Sequence, residues 1–217
     1  MENQKRNWDD IYRDVESLWD LRPSFDLVNY APLIPAGYVL DLGAGEGSNS
    51  LFFAQRGFSV DALDISKTAL ERAKNRAESS NLRIDFKVAD LKNFDIPPSH
   101  YSLIIAKMVF QFLCVSDIKK VIQKCKDSLV TGGFIYMSVF STEDPSFEFL
   151  RGESERLEEN TYFNDRLGSP MHFFTLEEVR QHFTDFEIIL LSFSKRLDIS
   201  HGEPHYHGVI SCMAKKV

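Results

Sequence analysis

The chain has 217 residues, of which 43% are hydrophobic, and a formal net charge of −7 at pH 7. This length is typical of one domain with a single large core, and the apolar content excludes a disordered chain. The acidic balance disfavours a nucleic-acid-binding surface, which normally clusters lysine and arginine. We therefore expect a small-molecule partner and no nucleic acid.

The amino-terminal residues and the cysteines predict a cytoplasmic protein. The chain begins MENQKRNWDD, which is polar and lacks the apolar core of a secretion signal. No apolar run approaches the length of a membrane span, so no membrane partner is expected. Cys114, Cys125 and Cys212 show no CxxC spacing, which is typical of reduced thiols. The sequence indicates no oligomeric state.

Short apolar runs alternate with helical patterns along most of the chain. This alternation is typical of repeated strand–helix units that build a parallel sheet. Strands are predicted at residues 38–42, 58–63, 83–89, 101–106, 134–139, 186–191 and 209–214. The pattern predicts an α/β fold with a doubly wound sheet, in a single domain over residues 1–217.

Helix signals lie between the predicted strands. The first helix is expected at residues 49–56, and Ser66 and Ser116 are expected to cap the next two. Gly132 and Gly133 are expected to end the third helix. The residues predicted to start the last helix are Thr175 and Glu178, a capping box, with Leu176, Val179 and Phe183 facing inward.

Two segments lie outside this alternation. Residues 1–35 are predicted to form helices that cover the site. Residues 141–172 form a long insertion, in which eight acidic residues and two arginines lie between Glu143 and Asp165. Loops of this length are often lids. A solvated irregular excursion is the alternative.

The strongest chemical signal is a glycine loop at residues 43–47, between the first predicted strand and a helix. Its Gly-x-Gly-x-Gly pattern lets the backbone turn sharply and lets a ligand approach the main chain. Ser48 replaces the last glycine of a dinucleotide fingerprint. Asp64 ends the second strand, where an acid can accept hydrogen bonds from a ribose, and Asp90 follows the third, where it can meet an adenine amino group. The carboxyl ends of parallel strands meet at one edge, so these groups are expected to line one nucleoside site.

At DLGAGEG, ALDIS and VAD the chain resembles the class I S-adenosylmethionine-dependent methyltransferases, over about residues 38–140. The resemblance implies a Rossmann-like, seven-stranded, mostly parallel sheet whose antiparallel last strand lies between the fifth and sixth. It also implies S-adenosyl-L-methionine as cofactor and S-adenosyl-L-homocysteine as product. The cofactor-binding residues that it implies are Asp41, Gly43, Ala44 and Gly45 at the methionine end, Asp64 and Ile65 at the ribose, Asp90 and Leu91 at the adenine, and Lys107 after the fourth strand.

The chain is further similar to the small bacterial tellurite-resistance-type (TehB-like) methyltransferases. The similarity lies in the run DLGAGEGSNSLFFAQRGFSVDALDIS, in the segment from Phe110 to Leu113, and in a histidine-bearing end before a final strand closing in Ala-Lys-Lys. A small oxygen, sulfur, nitrogen or chalcogen nucleophile is the expected methyl acceptor, because the acidic charge and the sequence after the fourth strand disfavour nucleic-acid methylation. The segment after the fourth strand lacks the Asn/Asp-Pro-Pro-Tyr pattern associated with amide and nucleobase amino methylation.

Two other functions remain open from the sequence. A sensor or partner subunit could bind the same cofactor without transferring a methyl group. A nicotinamide-dependent oxidoreductase could use a related sheet, although Ser48 in place of the third fingerprint glycine disfavours it.

Three of the six histidines lie between His201 and Gly208. In the predicted topology this segment forms the turn at the carboxyl edge, beside the expected methyl group. His205 and His207, two residues apart in extended chain, would face the same way and are predicted to be catalytic, as a base or as acceptor contacts. A metal site completed by His201 or Glu203 and a plain polar turn are the alternatives. We expect no metal, because the sequence shows no second ligand pair elsewhere.

Overall fold

The computed structural model describes residues 8–14, 21–199 and 203–217. The α-helices in these ranges are α1 (Trp8–Arg13), α2 (Phe25–Tyr30), α3 (Ser48–Ala54), α4 (Lys67–Ser79), α5 (Val115–Ser128), α6 (Pro145–Glu153) and α7 (Leu176–His182). The strands are β1 (Tyr38–Leu42), β2 (Ser59–Asp64), β3 (Ile84–Val88), β4 (Tyr101–Lys107), β5 (Leu129–Phe140), β6 (Arg156–Glu158), β7 (Thr161–Asn164), β8 (Ser169–His172), β9 (Phe186–Asp198) and β10 (His205–Lys216). Short 3₁₀ turns lie at Ala31–Leu33 and Phe110–Phe112.

The main sheet has seven strands in the order β3-β2-β1-β4-β5-β10-β9. Strands β1 to β5 pair in parallel, and β10 runs antiparallel to both of its neighbours, β5 and β9. The predicted doubly wound, Rossmann-like sheet is therefore confirmed, with the last strand inserted between the fifth and sixth strands of the sheet.

Both faces of the sheet are buried, because helices cover each of them. Alternate residues of β1 point to opposite faces: Leu40 and Leu42 belong to one apolar cluster and Val39 to another. β4 is buried from Tyr101 to Ala106. A continuous apolar run of this kind is typical of a central parallel strand.

Two predicted helix caps are confirmed. The Ser66 hydroxyl accepts a hydrogen bond from the Ala69 N–H at 3.1 Å and begins α4. The Thr175 hydroxyl accepts one from the Glu178 N–H at 3.1 Å and begins α7. Both signals are local, because the capping oxygen and the N–H it satisfies lie three residues apart.

The prediction that Ser116 caps α5 is wrong. The helix begins at Val115, and the Val115 N–H donates to the Glu158 carboxylate at 2.8 Å. Glu158 lies in the insertion, so a distant residue satisfies this helix end. Leu176, predicted to face inward, is 42% exposed because the start of α7 lies at the surface.

The prediction that Gly132 and Gly133 end a helix is wrong, because both residues lie within β5. The β4–β5 register jumps between two pairs, Tyr101 opposite Leu129 and Leu103 opposite Phe134. The glycines lie in this irregularity, where a Cβ atom on Gly133 would approach a backbone oxygen to 2.9 Å. The strand therefore needs glycine for close packing of the main chain.

Helices form at both described parts of the predicted amino-terminal cover. The Asp9 carboxylate of α1 accepts hydrogen bonds from the Ser66 hydroxyl at 2.9 Å and the Thr68 N–H at 2.8 Å. Just before α2, the Ser24 N–H donates to the Asn49 side chain at 2.9 Å. These contacts fasten α1 and α2 to the helices that follow β2 and β1. Among the described residues, the longest helix has 14 residues, and none has the length and apolar character to cross a bilayer.

The insertion folds into regular structure, so the alternative of an irregular excursion is wrong. Helix α6 packs against a three-stranded antiparallel sheet in the order β6-β7-β8. A separate apolar cluster holds them together; its members are Phe147, Leu150, Tyr162, Met171 and Phe173. Whether the unit moves as a lid stays a prediction.

Candidate functional site

The glycine loop lies where β1 ends. Gly43, Gly45 and Gly47 all have positive φ angles, of 66°, 54° and 79°. A Cβ atom on Gly45 would lie 2.8 Å from the Tyr12 hydroxyl of α1. The loop is thus a main-chain cradle with no room for a side chain, as close approach to a ligand requires.

Asp64 connects the glycine loop to the start of α4. Its carboxylate accepts hydrogen bonds from the Gly45 N–H and the Ser66 N–H, each at 2.8 Å. Burial raises the pKa of Asp64, and these backbone donors act against that rise. Each carboxylate oxygen can accept more than one hydrogen bond, so the group retains capacity for ribose hydroxyls.

Asp41 lies near the carboxyl end of β1, at the same edge of the sheet as Asp64, and is 1% exposed. Its carboxylate accepts a hydrogen bond from the Ser50 hydroxyl at 2.6 Å. Burial raises the pKa of Asp41 to about 6, although the Ser50 hydrogen bond and the positive charge of Lys107 act to lower it. Lys107, at the end of β4, is therefore close enough to influence Asp41 electrostatically.

Asp90 and its neighbours continue this edge beyond β3. The Ala89 N–H donates to the Asp64 carbonyl at 3.0 Å, which keeps the ends of β2 and β3 side by side. Asp90 accepts a hydrogen bond from the Lys92 N–H at 3.0 Å, so it also shapes the turn. Leu91 is half-buried and Ile65 is 53% exposed, which leaves apolar surface beside the two acids.

His205 and His207 lie at the carboxyl edge as predicted, but in strand β10 and not in a turn. They pair with Asp198 and Arg196 of β9. The predicted turn from His201 to Gly208 is therefore wrong for its last four residues. Strand β10 already begins at His205, which pairs with Asp198 at the end of β9. His201 lies outside the described residues.

Asp144, at the start of α6, orients His207. Its buried carboxylate lies 2.9 Å from the His207 Nδ1 atom and accepts a hydrogen bond from the Gly208 N–H at 2.9 Å. Ser146 donates to it as well, from its N–H and its hydroxyl. Burial alone would raise the pKa of Asp144, but the hydrogen bonds from His207 and Ser146 outweigh it and lower the pKa. An ionised carboxylate only accepts hydrogen bonds, so Nδ1 of His207 carries a proton.

The two histidines meet at their Nε2 atoms, which are 3.0 Å apart. His205 Nδ1 lies 2.8 Å from the backbone oxygen of Glu203, so it also carries a proton. The Asp198 carboxylate is 3.8 Å from the His207 Nε2 atom. We call Asp144, Asp198, His205 and His207 the histidine rim. The sequence reasoning missed both acids, and no local signal links either one to the histidines.

The comparisons with known proteins agree with this geometry. A family model described as "Methyltransferase domain" matches residues 39–133. A probable S-adenosyl-L-methionine-dependent methyltransferase, TehB of Haemophilus influenzae, is 30% identical over 145 residues, covering 64% of this chain and 49% of that protein. The crystal structure of TehB from Haemophilus influenzae superposes with a TM-score of 0.71 and 20% identity, covering 89% of this chain and 62% of that one.

Residues 39–133 thus match a methyltransferase domain, and the chain is similar to TehB in sequence and in fold. A second solved structure with the same fold is the 1,6-didemethyltoxoflavin-N1-methyltransferase of Burkholderia thailandensis, with S-adenosylhomocysteine bound. It has a TM-score of 0.66 and 16% identity, covering 96% of this chain and 81% of that one. The chain spans about half the length of the curated TehB relatives that it matches.

The resemblance and the comparisons indicate S-adenosylmethionine as the cofactor, and the residues at the edge fit it. The glycine loop has the positive-φ backbone expected for close approach of a ligand, and two backbone donors hold Asp64 at the position predicted for the ribose acid. All the predicted cofactor residues lie at the carboxyl ends of β1 to β4 or in the loops that follow them.

A polar stripe joins the predicted cofactor edge to the histidine rim. By strand register and alternation, Asp41, Lys107, Ser138, Ser211 and His207 project from the same face of the sheet. Within the described ranges, the buried Ser138 hydroxyl has no hydrogen-bond partner. A buried polar group of this kind is normally satisfied by a ligand or a water molecule.

Gln111 is a second polar group of this kind that sequence reasoning did not select. It lies in the 3₁₀ turn after β4, is 1% exposed, and both polar atoms of its amide have no partner among the described residues. The sequence signal for Gln111 was its position after β4, within the segment that is similar to the TehB-like group. Phe110, in contrast, packs in the core.

Proposed function

We propose that this chain transfers the methyl group of S-adenosylmethionine to a small-molecule nucleophile, through an oxygen, sulfur, nitrogen or chalcogen atom. One observation carries this proposal: a single sheet edge holds the glycine loop with Asp64 and, three strands further along, the histidine rim. The net charge of −7 and the small-molecule acceptor named for the Burkholderia thailandensis enzyme support an acceptor of this class.

The proposed cofactor contacts follow the order of the strands. Asp41 and the glycine loop, with Gly43, Ala44 and Gly45, take the methionine end. Asp64 and Ile65 take the ribose, Asp90 and Leu91 the adenine, and Lys107 lines the cofactor beside Asp41. The support is positional: each residue lies at the end of its strand or in the loop that follows, and two backbone N–H groups hold the Asp64 carboxylate.

In such a reaction the bound cofactor would supply the activated methyl group and would leave as S-adenosylhomocysteine. The chain must align the acceptor in line with that group and exclude water. His205 and His207 are the proposed catalytic residues, which contact the acceptor and assist its deprotonation where the nucleophile carries a proton. Asp144 is a positioning residue, because it acts on the acceptor only through His207.

Calorimetry with S-adenosylmethionine and S-adenosylhomocysteine tests the cofactor, with nicotinamide dinucleotides as the comparison. We expect both adenosyl compounds to bind and the dinucleotides not to bind. Folded protein that binds neither adenosyl compound would contradict the proposal. A second experiment supplies cofactor with a labelled methyl group to a panel of small thiols, phenols, amines and chalcogen oxyanions. Binding without any labelled product would favour a sensor or partner subunit.

A further inference from the structure

The starting observation is the short contact between two histidines of the histidine rim. Their Nε2 atoms are 3.0 Å apart, while each Nδ1 atom faces an oxygen that can only accept. In the neutral rings the protons are therefore on Nδ1, and both Nε2 atoms present a lone pair. Two lone pairs at this distance repel each other, and a cation bound by both atoms would replace that repulsion with attraction.

A third ligand atom faces the same point. Asp198 lies opposite His205 in the β9–β10 register, and its carboxylate oxygen is 3.8 Å from the His207 Nε2 atom. One ligand atom from each of Asp198, His205 and His207 lies within 4.8 Å of the others. The three side chains are only partly exposed, so their positions are restricted by packing.

We infer that Asp198, His205 and His207 form a binding site for one divalent transition-metal ion of the zinc type. Zinc lies about 2.0–2.2 Å from histidine nitrogen and carboxylate oxygen. Two nitrogens 3.0 Å apart can both reach such an ion, with an angle of roughly 90–100° at the metal. Two imidazoles and one carboxylate are a common ligand set for zinc and other divalent first-row metals.

The surroundings of the site are those expected around a metal-binding histidine. Such a histidine normally donates its other N–H to a carboxylate or a backbone carbonyl, which fixes the ring. His207 has the buried carboxylate of Asp144 in this role, and His205 has the Glu203 carbonyl. The Phe140 ring packs on the His207 ring with centroids 4.6 Å apart and further restricts its rotation.

Gly208 makes the approach of Asp144 possible. A Cβ atom at this position would lie 2.8 Å from the Asp144 backbone nitrogen and from the Glu143 carbonyl carbon. The start of the insertion can therefore press against β10 only because residue 208 is glycine. This contact places the Asp144 carboxylate within hydrogen-bond distance of the His207 Nδ1 atom.

Within the described residues the site has three protein ligands, which leaves a fourth position on a tetrahedral ion, as in catalytic zinc sites. A thiol, hydroxyl or chalcogen nucleophile bound there would lose its proton more easily, because the ion stabilises the anion. This role at the acceptor rests on the proposed function, whereas the binding of the ion does not. The alternative is that one histidine is protonated and the pair shares that proton.

The test is metal binding by the full chain without a histidine tag, after removal of metals with a chelator. We expect calorimetry with Zn²⁺ to give one ion per chain, and Co²⁺ to give the visible absorption of a low-coordinate site. His205→Ala, His207→Ala and Asp198→Asn should each weaken Zn²⁺ binding at least about tenfold. His100→Ala is the matched control, since His100 lies at the opposite edge of the sheet beside Tyr38, and its affinity should equal that of the unchanged protein.

Absence of stoichiometric Zn²⁺ binding, or equal affinity in His205→Ala, would overturn the inference and indicate the shared proton. Should His207→Ala fail to fold, His205→Ala and Asp198→Asn still decide, because both residues lie at the partly exposed rim. Titration of the same samples with S-adenosylmethionine separates the two proposals. If the chain binds the cofactor but no metal, the proposed function stands and the metal site is ruled out. If it binds metal but no cofactor, the metal site stands and the proposed function is ruled out.

Discussion

The glycine loop and the histidine rim lie at the same edge of the sheet, but the chain builds them differently. The predicted cofactor residues come from consecutive segments between Asp41 and Lys107, each following its own parallel strand. The rim combines Asp144, before α6, with residues of β9 and β10 that lie more than fifty positions later. It forms only because β10 enters the sheet between β5 and β9.

The two regions also differ in what holds them. Backbone N–H groups and one carboxylate, Asp64, fix the glycine loop, so its shape depends mainly on the main chain. Side chains hold the rim: Asp144 orients His207, and the two histidines contact each other. A main-chain site has a sequence signature in its glycines, whereas a side-chain site assembled across distant segments has none.

The largest expected effect separates the two regions. His207→Ala should lower kcat by about 100-fold or more, whether the residue acts as a base or holds the inferred metal ion. The affinity for S-adenosylmethionine should stay the same, because the cofactor residues lie on other strands. Initial rates and calorimetry on the same preparation measure both quantities. A parallel loss of cofactor affinity would show that the regions are one site.

The reciprocal change is Asp64→Ala. We expect the Kd for S-adenosylmethionine to rise about 100-fold, because the variant loses charge-assisted hydrogen bonds to the ribose and the acceptor for the Gly45 and Ser66 N–H groups. Calorimetry checks this value. Asp85→Ala, an exposed acid on β3, is the matched control and should bind normally. An unchanged Kd in Asp64→Ala would remove the ribose assignment.

A pH experiment probes the buried acid of the cofactor edge. The pKa of Asp41 is raised to about 6 in the folded chain, by burial, above 3.8 in the unfolded chain. The carboxyl therefore destabilises the fold fully above pH 6, partly between pH 4 and 6, and not below. Asp41→Asn should raise the free energy of unfolding without cofactor by up to about 3 kcal/mol at pH 7.5 and by much less at pH 4.5.

Denaturant unfolding at the two pH values measures this difference. The groups that influence Asp41 are Ser50, Lys107 and Asp64, and all three remain in the variant. An equal gain in stability at both pH values would mean that the buried carboxyl is not the cause.

The smallest expected effect concerns the positioning of His207. Asp144→Asn keeps the size of the side chain but replaces the ionised acceptor of Nδ1, and it should lower kcat about tenfold. KM for the acceptor should change less than kcat, since the acceptor does not contact Asp144. Steady-state kinetics give the split, and an equal change in KM and kcat would indicate a general disturbance of the rim.

The sequence by itself determined most of the sheet and the edge at which the predicted cofactor residues lie. β1 is observed at the predicted residues, Tyr38 to Leu42, and the caps Ser66 and Thr175 act as expected. These signals are local: apolar periodicity, a hydroxyl three residues before the N–H it binds, and glycines where φ must be positive. The antiparallel last strand followed from the family resemblance, not from the pattern of residues.

Tertiary structure alone decided how α5 begins, how the insertion folds, and which side chains surround the histidines. Glu158 caps α5 from a distant strand, and Asp144 and Asp198 reach His207 from two other elements. None of these pairs has a fixed spacing along the chain, because each depends on which strands become neighbours. The sequence placed the histidines at the correct edge, and the inserted strand β10 turned them into a cluster with two acids.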